Sequence, residues 1–212
     1  MGESITFSFP LERSHCGVPL ANGNFGALVW GKDTLKITVN QNDLWDHRGG
    51  ELIDPRDSYL RLTEYAESHN FDATLNPQFH STQTQLNRPR RLAAGCFEFL
   101  FKNEAKLVSA QLEYGTGKLT VYLDNGNSLV LTLVLKQNIL YLEDAAKNIR
   151  KVKLHPASDY PKVRDFHDRR GVAPYELLSD GWKIVLPEDP GMTFRAVETF
   201  YGYKIFTDNS GD

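Results

Sequence analysis

Apolar residues in this chain recur mostly at every second position, the spacing that buries one face of a β-strand and wets the other. Ile5-Thr6-Phe7-Ser8-Phe9 opens the series, and Pro10, which cannot donate to a ladder, ends it. Residues 25–30 and 35–39 alternate in the same way around Gly31-Lys32-Asp33-Thr34. The glycine there can supply the positive φ that a tight hairpin connection demands. From Cys96 onward strands are predicted over 97–101, 106–114, 118–123, 128–135 and 140–143, broken by Gly115-Thr116-Gly117 and Asp124-Asn125-Gly126-Asn127, both turn-forming clusters. Three further candidates, 182–186, 193–198 and 201–206, close the chain.

Helical spacing is rare. Asp57-Ser58 is placed to cap a helix running to about Ser68, with Tyr59, Leu62, Tyr65 and Ala66 on one face. A second short helix is expected over 160–170. Two long stretches, 42–55 and 76–91, lack either period, and loops of that length in a compact domain usually carry function or dock on something. Many short strands, few helices and Gly/Asn turns predict an all-β sandwich of two large antiparallel sheets with one or two short helical insertions. No internal repeat or linker-like break divides the chain, so residues 1–212 are expected to form a single β-sandwich domain.

At 212 residues, such a domain would bury about 70% of the surface its unfolded chain exposes, enough for a core without disulfide or metal support. The net charge of -3 lacks the broad positive field of a phosphate-backbone binder, which excludes nucleic acid as the expected partner. The longest apolar stretches fall far short of a bilayer span, and no membrane partner is expected. Two cysteines, Cys16 and Cys96, are too few to indicate a redox compartment. Twelve Phe, nine Tyr and three Trp are a slight excess of rings that the fold must place.

The densest chemistry lies in two blocks. Pro19-Leu20-Ala21-Asn22-Gly23-Asn24-Phe25-Gly26-Ala27 contains a turn that admits left-handed backbone, followed by Gly26, where a ligand or a second chain can approach the strand. One strand later come Asn42, Asp43, Trp45, Asp46, His47 and Arg48. Amides and carboxylates that bond paired hydroxyls, beside a ring that covers an apolar sugar face, are the parts of a carbohydrate site. The same residues also read as a loop whose Trp45 anchors in the core while its charges cap one another.

Together the two blocks resemble the N-terminal domain of family 95 glycoside hydrolases, the α-L-fucosidase group, and of its family 65-like relatives. Gly95-Cys96-Phe97-Glu98-Phe99 and the segment from Val108 to Gly117 are similar to that domain's next strands. The resemblance covers Pro19 to Leu142. It implies a β-supersandwich that braces a C-terminal (α/α)6 barrel of the same polypeptide, with the catalytic carboxyls on that barrel, an oligo- or polysaccharide substrate, no cofactor, and a periplasmic or extracellular setting. No catalytic residue transfers to this chain. Asn42 before Asp43, and Asp46-His47-Arg48 after Trp45, depart from the family's Glu-Asp and Ser-Gly pairs and put fucose specificity in doubt. The expected function is therefore a non-catalytic domain lending Asn42, Asp43, Trp45, Asp46, His47 and Arg48 to a glycan site. The alternative is a free-standing carbohydrate-binding module.

Other residues carry less. Asp43, Asp46 and Glu51 are carboxylates from which a complete hydrolase would need a pair about 5–10 Å apart. His47, His69, His80, His155 and His167 show no metal-ligand spacing. His15 and Cys16 are neighbours in sequence, and adjacent residues on a strand point to opposite faces, which argues against a Cys-His catalytic dyad. Arg88-Pro89-Arg90-Arg91 reads as a solvated basic loop, while Trp182, Tyr201 and Tyr203 read equally as core or rim.

Overall fold

In the computed structural model, which describes residues 3–48, 63–64, 67–68, 89–189 and 191–208, the alternating stretches are strands. In chain order they are β1 (Ser4–Ser8), β2 (Val18–Ala21), β3 (Phe25–Gly31), β4 (Thr34–Gln41), β5 (Trp45–Asp46), β6 (Arg90–Arg91), β7 (Gly95–Phe101) and β8 (Leu107–Glu113). There follow β9 (Lys118–Leu123), β10 (Ser128–Leu133), β11 (Ile139–Glu143), β12 (Ile149–Pro156), β13 (Glu176–Leu177), β14 (Gly181–Ile184), β15 (Met192–Thr199) and β16 (Gly202–Asp208). One helix, α1 (Pro161–Arg170), follows β12. The chain divides into two compact units, Met1–Trp45 with Leu92–Asp212, and Asp46–Arg91.

The first unit is an all-β sandwich of two large antiparallel sheets. One has nine strands in the order β1-β8-β9-β10-β11-β16-β15-β14-β13, and the other has five in the order β12-β7-β4-β3-β2. Alternation decides which faces meet. Val29, Ile37, Phe97 and Phe99 of the smaller sheet have no exposed surface, nor do Leu119, Leu129, Leu140, Phe194 and Ile205 of the larger. A stack of rings links the layers, with Phe97 against Trp182 at 4.6 Å between centroids and Trp182 against Phe194 at 5.9 Å. Trp182 is thus core. Each such ring contributes about 1.5–3 kcal/mol by leaving water.

Five of the strands escaped the sequence pattern: the two-residue β5, β6 and β13, and β2 and β12, the two edges of the five-stranded sheet. In β2, Pro19 is tolerated because an edge position needs no ladder donor there. In β12 the charged residues Arg150, Lys151 and Lys153 are exposed and blunt the edge of the five-stranded sheet, so the apolar alternation is thin. His15 and Cys16 lie in a 3-10 turn, Ser14–Cys16, closed by hydrogen bonds from Cys16 N to Arg13 O and from Gly17 N to Ser14 O. Tyr201 precedes β16 and sits in the turn after β15, so it does not share a strand face with Tyr203. Cys16 is exposed and Cys96 buried, and both are free thiols.

Helix α1 follows its sequence signals. Tyr160 is its N-cap, Pro161 starts the first turn with φ already set, and Gly171 ends it at φ 63°. Of the helix expected from Asp57, Thr63, Glu64 and Glu67 are helical and Ser68 N donates to Glu64 O at 3.0 Å; its other positions lie outside the described residues.

Candidate functional site

Cross-strand register builds a site on the outer face of the five-stranded sheet. Opposed residues share a face, so the pairs Pro19–Leu28, Leu28–Thr38, Thr38–Cys96 and Cys96–His155 form one row across five strands. The next row runs Trp30–Lys36, Lys36–Glu98 and Glu98–Lys153. Gly26 and Asn40 pair on the side toward the β4 exit. Where α1 begins, Tyr160 and Val163 rise beside these rows and turn a flat face into a trough of about 520 Å³. Leu28, Thr38, Asn40, Cys96, Trp30 and Tyr160 line it, as does Gly26, where an added Cβ would meet nothing nearer than Leu20 O at 4.0 Å. The open backbone expected at Gly26 therefore faces a cavity.

The rings in this trough are fixed in place. Trp30 Nε1 donates to Thr38 Oγ1 at 2.9 Å, and the Lys36 ammonium covers the indole at 4.9 Å from its centroid. Tyr160 is half exposed, and its phenol is raised above the ordinary value by burial of part of the group together with the nearby Cys96, Glu98 and Asp159. Burial pushes the Cys96 thiol up to about 11, which leaves it neutral and unreactive at the trough floor.

Glu98 organises the second row. Its carboxylate accepts from Thr34 Oγ1 at 2.8 Å, meets His155 Nε2 at 2.8 Å and lies 3.8 Å from Lys36 Nζ. Burial alone would raise this carboxyl. The hydrogen bonds from His155 and Thr34 and the Lys36 charge outweigh that effect and hold it below the usual carboxylate value. It is an acceptor at neutral pH, with no proton to give.

Of the residues singled out at the β4 exit, Asn42, Asp43 and Trp45 belong to the first unit and are not among those that line the trough. Asn42 and Asp43 are exposed and Trp45 is half-buried, its Nε1 donating to Asn42 O at 2.7 Å. That bond folds the indole back onto its own loop. Asp46, His47 and Arg48 belong to the second unit. Within it, Asp46 is buried and both its oxygens are taken by Arg48, Nε to Oδ1 at 3.0 Å and Nη2 to Oδ2 at 3.1 Å, while Oδ1 also accepts Arg48 N. His47 is exposed. Glu51, His69, His80 and Arg88 lie outside the described residues; Arg90 and Arg91 are exposed.

The trough residues are readable as an outward-facing set, since Leu28, Trp30, Thr38 and Asn40 occupy the non-core phase of β3 and β4. An indole on the wet face of a strand was the signal. Tyr160 was not readable in that role, because nothing in the pattern places the α1 start over β3, β4 and β7.

Among the described residues, no group of three or more His, Cys, Asp or Glu side chains is placed to hold a metal ion, and no helix is long and apolar enough to cross a membrane. Comparison with protein-family models and with curated proteins gave no match for this chain.

Proposed function

We propose that this chain is a non-catalytic, saccharide-binding β-sandwich domain of a glycoside hydrolase, and that sugar lies in the trough on the five-stranded sheet. The observation that carries the reading is the pairing of Trp30 and Tyr160 around a cavity with Asn40 and Thr38 beside them. Ring faces cover the axial hydrogens of a pyranose, while an amide and a hydroxyl answer its edge. A volume of about 520 Å³ falls in the range of small-ligand sites. Glycoside hydrolysis needs one carboxyl that keeps its proton near neutrality. Glu98 is held ionised and Asp46 is buried against Arg48, which supports binding in place of turnover.

The two blocks 19–27 and 42–48 supply the proposed setting: a partner barrel of the same polypeptide carries the chemistry, and this domain braces it and presents glycan. Asn40 lines the trough two residues before Asn42, so the β4 exit is the natural point for a longer glycan to continue along Asn42, Asp43 and Trp45.

Calorimetry with fucose, galactose, arabinose and rhamnose and their oligosaccharides tests this. Binding in the micromolar to millimolar range is expected, lost at least tenfold in Trp30→Ala and Tyr160→Ala and changed less than about threefold in Trp45→Ala, whose ring is bonded to its own loop. Trp30→Phe, which keeps a ring on the folded strand, should retain part of the affinity. Absence of binding across the panel, or binding indifferent to both ring deletions, overturns the assignment. Release of p-nitrophenol from the matching aryl glycosides by this chain, abolished in Asp43→Ala, would overturn the non-catalytic reading.

A further inference from the structure

A second cavity lies at the far end of the nine-stranded sheet, where β11 leaves the sheet and the turn Thr199-Phe200-Tyr201-Gly202 joins β15 to β16. It has a volume of about 500 Å³ and is lined by Tyr141, Leu142, Glu143, Thr199, Tyr201 and Tyr203, with Ala145. Sequence and backbone account for it. At Gly202 an added Cβ would come within 2.0 Å of Leu142 O, so only glycine lets β16 press this close to β11. Asp144 N donates to Tyr201 O at 2.8 Å and pins the turn. Tyr203 opposes the buried Leu142 and turns its ring inward, edge-on to Phe99 at 5.2 Å, whereas Tyr141 and Glu143 alternate onto the outer face.

We propose that this pocket binds the quaternary ammonium group of an organic cation, with the rings of Tyr141 and Tyr201 against its methyls and Glu143, on the same face of β11 as Tyr141, balancing its charge. Ring faces attract a cation through their quadrupole, and a methylated ammonium, which makes no strong hydrogen bond, depends on them. The walls match that need better than they match a sugar: among the described residues, Glu143, Thr199 and phenol hydroxyls are the only polar side-chain groups that line it, with no amide or guanidinium to pair with neighbouring hydroxyls. Lys204, which opposes Tyr141 across the strands, lies over the Phe206 ring at 4.6 Å and Lys147 over that of Phe200 at 5.7 Å, and neither lines the cavity. Phe200 stands edge-on to Tyr201 at 4.9 Å and 86°, so the turn that holds one cation on its outer ring presents Tyr201 to the pocket. Tyr201 is 69% and Tyr141 40% exposed, leaving aromatic surface uncovered.

Choline chloride and its uncharged isostere, 3,3-dimethylbutan-1-ol, separate this from simple hydrophobic filling. Titration followed by tyrosine ring NMR signals should show choline shifting Tyr141 and Tyr201 more than the inward-facing Tyr203, with the isostere at least tenfold weaker. Tyr201→Ala, an exposed position whose loss spares the core, should weaken choline tenfold or more, and Glu143→Gln about threefold. Trp30→Ala should change nothing, which separates failure here from failure of the saccharide reading. Phosphatidylcholine vesicles ask where the group comes from. Co-sedimentation that free choline competes away assigns a lipid headgroup, and choline binding without co-sedimentation assigns a free metabolite; both support the site. Equal affinity for choline and the isostere, no shift with choline, or vesicle binding that choline leaves untouched overturns it.

Discussion

His167 is buried in α1 with neither ring nitrogen bonded to a protein group, an arrangement that costs free energy wherever the ring must charge. Its surroundings are the rings of Phe166 at 6.0 Å and Tyr175 at 5.2 Å, with the guanidinium of Arg170 beside Phe166, while Asp168 pulls weakly the other way. Burial dominates and lowers the imidazole below its ordinary 6.5. The unfolded chain therefore takes up the proton first. Stability from this residue is complete above pH 6.5 and declines as pH falls below it. Urea midpoints measured from pH 7.5 to 5 should fall for the natural chain and fall less for His167→Leu, which has nothing to protonate. Parallel slopes would show that His167 meets solvent or a partner that the fold does not display.

Gly95 shows how one element sets the spacing of two others. At the start of β7 its φ is +151°, and a Cβ there would lie 2.6 Å from His155 O and 2.7 Å from Cζ2 of Trp182. β7 can sit between β12 and the core indole only because that atom is absent. Gly95→Ala should destabilise by about 2–5 kcal/mol through strain and overpacking, with an unchanged denaturant slope. Gly23→Ala is the control: φ is +90° but nothing lies within 4 Å, so only the backbone term, about 1–2 kcal/mol, should appear. A similar loss at both sites would mean that the Trp182 contact is unimportant. The same contrast explains what the sequence revealed. Period-two burial made β3, β4 and β7 to β11 legible, together with the hairpin at Gly31, because both faces of those strands are chemically distinct. The edges β2 and β12 were not, since a strand paired on one side with lysines at its rim has little apolar signal. The trough was half legible for the same reason: its floor follows from strand phase, whereas its wall depends on where α1 docks, which no local pattern encodes. The bonds from Arg48 to Asp46 were likewise not legible, because spacing says nothing of a side chain folding back two residues.

At the scale of the molecule the two proposed sites occupy different sheets and share no residue. Their nearest link is Phe99, inward-facing on the strand that carries Cys96 and Glu98, which touches Tyr203 of the second pocket. A close-packed core of this kind has one arrangement in the fold, so occupancy of one site has no alternative packing to select at the other. Binding should consequently be additive. With sugar and choline each at about 100 times its dissociation constant, each stabilises by about 2.7 kcal/mol, and both together by the sum. Thermal melts with either ligand and with the pair measure this directly, and a residual beyond about 0.5 kcal/mol would mark coupling through Phe99 and Tyr203. Phe99→Leu should then abolish that residual while leaving each single-ligand shift in place. If instead the pair raises the melting temperature no further than one ligand alone, the two compete for a single cavity, and the division of labour between the sheets is wrong.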